Sequence, residues 1–130
     1  MKNLTSKSLI ITGILLFVFN LSFAQKKNAS IEIYQFHNEH RCVTCLEIEK
    51  LTKEVLKTQG GIPFKLINVD EKKNEKLAEK FEATSTALFL VNPKTGKRKD
   101  LTSFAFMYAM GEKAKFKADL LKEIQEFSKN

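Results

Sequence analysis

Two cysteines stand among the 130 residues of this chain, together as Cys42-Val43-Thr44-Cys45, where a strand-like run gives way to a helical one. Ile31 to Phe36 is β-rich and apolar on both faces, as an interior strand is. After the cysteines, Ile48, Leu51, Val55 and Leu56 recur at three- and four-residue steps as far as Gln59, which marks an amphipathic helix. A disulfide closing so short a loop does little for folding. In the chain-entropy treatment a four-residue loop contributes about 2 kcal/mol, against about 3 kcal/mol for fifteen residues. A pair kept for stability would join distant segments; this one is better placed to exchange electrons or to hold a metal.

The first 24 residues indicate the compartment. Lys2 and Lys7 form a positive lead, Leu9 to Phe19 is an apolar core broken only by Thr12 and Gly13, and Ser22-Phe23-Ala24 offers the small residues a signal peptidase reads. Residues 1–24 are therefore expected to be a secretory signal cleaved after Ala24. The rival, an uncleaved anchor, has an apolar stretch short of the ~20 residues that span a bilayer, interrupted by Asn20. No cysteine follows the apolar core to carry a lipid. The mature protein is expected in the periplasm or outside the cell, without stable membrane insertion. There its cysteine pair rests oxidised unless something reduces it.

Cleavage removes two basic residues and no acidic one, leaving 20 basic against 15 acidic, a net charge of +5. That suits a soluble protein favouring an acidic partner or surface. Nucleic acid is not expected, because Lys97-Arg98-Lys99 is a single short run, no recognition motif accompanies it, and the chain is expected to be exported. Residues 25–30 read as a flexible polar lead, and 31–130 as one domain.

Within that domain Gly60-Gly61 ends the first helix, Phe64 to Val69 reads as a second strand, and a helix with Leu77, Ala78 and Phe81 on its apolar face follows. Thr86 to Val91 is a third, buried strand. The turn residues Asn92 to Gly96 lead to a polar edge strand, Lys97 to Leu101. Ser103 to Met110 reads as a short buried helix, with Phe104, Phe106, Met107 and Tyr108 expected as core under a loop rather than as a docking patch. The last helix, from about Glu112 to Ser128, carries the stripe Phe116, Leu120, Ile124 and Phe127. The first two strands, joined through a helix, should be parallel, and the hairpin strands antiparallel.

This order of elements, with Cys42-Val43-Thr44-Cys45 starting the first helix and Thr86 to Val91 as the strand facing it, resembles the thioredoxin-like superfamily over residues 31–128. More narrowly, the run from Phe36 to Cys45 resembles small exported proteins of the nitrophenyl-compound nitroreductase subunit ArsF family. The fold implied is α/β: a central four-stranded mixed sheet flanked by helices. The function implied is thiol–disulfide exchange through Cys42 and Cys45, supporting reduction of nitroaromatic or arsenical compounds. No GxGxxG follows a strand, so any flavin or nicotinamide is expected on a partner. The chain itself would relay electrons, with its disulfide as redox group, to or from a protein redox partner or membrane reductant.

In this reading Cys42 sits at the helix N-terminus, where unpaired N–H groups favour a thiolate, and attacks the partner disulfide; the more buried Cys45 resolves the mixed disulfide. Arg41, His40 and His37 support the thiolate if their side chains turn toward it. Two departures from thioredoxins stand out. Thr86 occupies the place of their cis-proline, before a peptide bond expected to be trans, and Phe36 stands where they keep a buried acid. These departures also favour the alternative, a soft-metal site for zinc or copper(I) built from His37, His40, Cys42 and Cys45, the chain's only histidines and cysteines. A non-catalytic interaction domain is the third reading. Asn68-Val69-Asp70-Glu71 lacks the glycine of a calcium loop, and Thr95-Gly96-Lys97 lacks the upstream glycine of a phosphate loop.

Overall fold

In the computed structural model, which describes residues 30–130, the strand ahead of the cysteines is β1 (Glu32–His37), an interior strand of the sheet. The expected signal segment, residues 1–24, and the polar lead up to residue 29 lie outside the described residues. Then follow α1 (Val43–Gln59), β2 (Phe64–Asn68), a 3-10 turn (Lys72–Asn74), α2 (Glu75–Phe81), β3 (Ala87–Val91), β4 (Arg98–Asp100), α3 (Thr102–Tyr108) and α4 (Lys113–Ser128). Gly60 and Gly61, with φ of 40° and 81°, take the backbone region that side chains disfavour and let the chain leave α1.

The strands lie in the order β2-β1-β3-β4, with β1 parallel to β2 and antiparallel to β3, and β3 antiparallel to β4. This mixed sheet flanked by helices is a thioredoxin-like arrangement, as the order of elements implied. Phe36 of β1 pairs in register with Ala87 of β3, so the end of β1, from which the chain runs on to the cysteines, lies beside the residue before β3, Thr86.

Alternation along β1 sends its side chains into two cores. Ile33 joins Ile48 and Leu51 of α1, Leu88 and Leu90 of β3, and the α4 stripe Phe116, Leu120, Ile124 and Phe127. On the other face Tyr34 and Phe36 meet Phe81 of α2 and Phe89 of β3, with ring centroids of Phe81 at 5.5, 5.3 and 5.1 Å from Tyr34, Phe36 and Phe89. Each such side chain contributes roughly 1.5–3 kcal/mol on burial.

The short helix differs from its expected form. It runs Thr102–Tyr108 and buries only one edge: Ala105 and the following Ala109 reach the core, with Phe104 and Tyr108 packed partly against it. Phe106, Met107 and Met110 face outward. A seven-residue helix lying across α1 and α4 has one buried side, and its small residues occupy it. Among the described residues, no helix is long and apolar enough to cross a membrane.

Candidate redox site

Cys42 is the N-cap of α1, in extended conformation (φ −74°, ψ 158°), and its Sγ accepts the Cys45 backbone N–H at 3.1 Å. Sulfur thus takes the role a serine or aspartate oxygen plays at many helix starts. The first turn of α1 holds no acidic residue, so nothing there competes with the positive end of the helix dipole. Cys42 is exposed, whereas Cys45, one turn further in, is 4% exposed. A disulfide joins them across a Cα–Cα distance of 5.1 Å. One sulfur of the bond faces solvent and the other faces the protein.

Two side chains, one from β1 and one just before β3, meet Cys45. The Thr86 hydroxyl donates to its Sγ at 3.0 Å. The Gln35 amide donates to its carbonyl oxygen at 2.9 Å, from a side chain with no exposed surface whose Oε1 has no partner. The peptide before Thr86 is trans. Gln35 is not among the site residues expected from the sequence, although a lone amide in the middle of an apolar strand is the signal that finds it.

Arg41 turns along α1 and ion-pairs with Glu49, which also holds Lys53. Burial pushes the Glu49 carboxyl up, but hydrogen bonds from Lys53 and Arg41 outweigh it and hold the group below the ordinary carboxylate range. The positive field Arg41 exerts near Cys42 is therefore opposed by a carboxylate. His37 closes β1 with its Nδ1 2.9 Å from the Asn38 carbonyl, and His40 is exposed. Among the described residues, no three His, Cys, Asp or Glu side chains converge to hold a metal ion. The set His37, His40, Cys42 and Cys45 is thus not gathered into one cage with the cysteines oxidised.

The loop that delivers Cys42 is fastened to the segment after β2. Asp70 accepts the Glu39 backbone N–H at 2.7 Å and the Asn38 amide at 3.3 Å, and the Asn68 amide donates to the Glu39 carboxylate at 2.6 Å. The Glu39 N–H first, then the Asn38 amide, with His40 and His37 adding attraction, hold the Asp70 carboxyl below its usual value. These partners lie about thirty residues apart, a separation over which the sequence carries no pairing signal for Asn68 and Asp70. Beside Thr86 opens a groove of about 530 Å³, lined among others by Thr84, Ser85, Phe89, Arg98 and Thr102.

No family model matches the chain, and no curated protein matches it. Among solved structures it is similar to one described as the structure of a malarial protein. The two are 26% identical, the match covers 60% of this chain and 93% of that one, and the TM-score is 0.43, too loose a superposition to bear on the site.

Proposed function

We propose that this chain is an exported thiol–disulfide oxidoreductase or electron-relay protein of the thioredoxin-like superfamily, working through Cys42 and Cys45. The observation that carries the reading is the asymmetry of the pair: an exposed sulfur at a helix N-cap bonded to a buried one. A partner thiolate can reach Cys42 and not Cys45. Its attack forms a mixed disulfide with Cys42 and frees Cys45. In the reverse direction Cys42 attacks a substrate disulfide and Cys45 displaces the substrate. Thiolate attack is favoured at Cys42 because the helix dipole and its free N–H groups stabilise negative charge there.

The partner in this proposal is a protein redox partner or membrane reductant, and the process supported is reduction of nitroaromatic or arsenical compounds, as the resemblance of Phe36 to Cys45 implies. The nicotinamide or flavin chemistry belongs to the partner. Purified mature protein mixed with a nitroaromatic and NADPH should therefore turn over only when a reductase is added; rapid turnover by the chain alone contradicts the relay role. The exchange mechanism is tested by Cys45→Ser, which should accumulate mixed disulfides at Cys42 in cells, while Cys42→Ser should not. Equal trapping by both variants, or by neither, overturns it.

A further inference from the structure

We propose that the Thr86 hydroxyl receives Cys45 as its leaving thiolate and thereby sets the redox balance of the pair. The inference rests on the thiol–disulfide reading above and assigns a catalytic role to a residue outside the CxxC motif.

The donors around the pair are already divided. The Cys45 N–H is spent on Cys42 Sγ, and the Gln35 amide is spent on the Cys45 carbonyl. The Thr86 hydroxyl, 3.0 Å from Cys45 Sγ, is the side-chain donor aimed at the inner sulfur. Cys45 is 4% exposed, so a thiolate formed there has little water to solvate it. A buried anion without a donor is costly, and a hydrogen bond to a charged acceptor is roughly twice as strong as one between neutral groups. A disulfide sulfur is neutral and a weak acceptor. The Thr86 bond is therefore weak before reduction and strong after it.

In the step concerned, a partner thiolate attacks Cys42 Sγ. The Cys42–Cys45 bond breaks, its electron pair stays on Cys45 Sγ, and a partner–Cys42 disulfide forms. The partner's second thiolate then attacks its own sulfur in that bond and releases Cys42 as a thiolate. Two electrons have passed to the pair, the partner is left as a disulfide, and the thiol protons are lost to or taken from water. Thr86 stabilises the charge that appears on Cys45 in the first of these steps. In the reverse direction the same bond steadies negative charge on Cys45 and must be given up as Cys45 attacks.

The test equilibrates wild type, Thr86→Val and Thr86→Ser with graded dithiothreitol or glutathione buffers and counts free thiols by alkylation and mass. Valine keeps the β-branch just before β3 but lacks the hydroxyl. Thr86→Val should shift the equilibrium toward the disulfide by about tenfold, which is ~30 mV more negative for a two-electron couple. Thr86→Ser should return it to near the wild-type value. If valine disturbs folding, as judged by circular dichroism, Thr86→Ala is read against Thr86→Ser in its place. A wild type that cycles reversibly, with hydroxyl-free variants sharing its equilibrium constant, overturns this inference alone. A wild type that does not cycle at all overturns the thiol–disulfide reading and this inference with it.

Discussion

The backbone N–H of Glu39 donates to Asp70 Oδ2 at 2.7 Å, bridging 31 positions of sequence and fixing the loop that leads into Cys42. The Asp70 carboxyl is held below its usual value by this bond and by the Asn38 amide. A lowered folded-state value means that the stabilisation is complete above the unfolded value, about 3.9. It is lost as pH falls through the lowered folded value. Protection of the Glu39 amide against hydrogen exchange should therefore collapse in acid, and Asp70→Asn should abolish that acid step. Protection independent of pH throughout the acid range would count against the fastening role.

Glu49 opposes Arg41, so neutralising Glu49 should leave the arginine charge uncompensated beside the site. Glu49→Gln is expected to speed alkylation of Cys42 in the reduced protein about threefold near neutral pH, the scale of one charge acting through partly solvated space. Arg41→Met is expected to slow it. Unchanged rates in both variants would show that the pair serves only to pack the start of α1.

What the sequence made legible was what periodicity and punctuation encode. The α4 stripe Phe116, Leu120, Ile124 and Phe127 is buried as read, and α1 begins at the cysteines and ends before Gly60-Gly61. The sheet followed from the order of such elements, because short connections leave few topologies. Side-chain polar contacts over long separations were not legible. Asp70 on Glu39, Thr86 on Cys45 and Arg41 on Glu49 depend on where side chains turn once the sheet has formed. Phe106 and Met107 read as core because they are apolar, yet a short helix on the surface has room beneath it only for Ala105 and one flank of larger residues.

Gln35 carries a buried amide whose donor is used and whose acceptor is not. Replacing it with methionine removes one hydrogen bond but also one unsatisfied buried oxygen, and fills a similar volume. Gln35→Met should lie within about 1 kcal/mol of wild type in denaturant unfolding. Gln35→Ala, which opens a cavity, should cost about 2 kcal/mol or more. Equal losses in the two variants would mean that the amide itself holds Cys45 in place.

In the proposed exchange Cys42 is the sulfur that meets partners and Cys45 the one that is shielded. This division is read out by reducing the purified protein, alkylating it with limiting reagent at neutral pH, and locating the label on each cysteine by peptide mass over time. The exposed N-cap position of Cys42 and the 4% exposure of Cys45 predict that Cys42 is labelled first, by about tenfold or more. Equal labelling of the two, or faster labelling of Cys45, would contradict this division of roles.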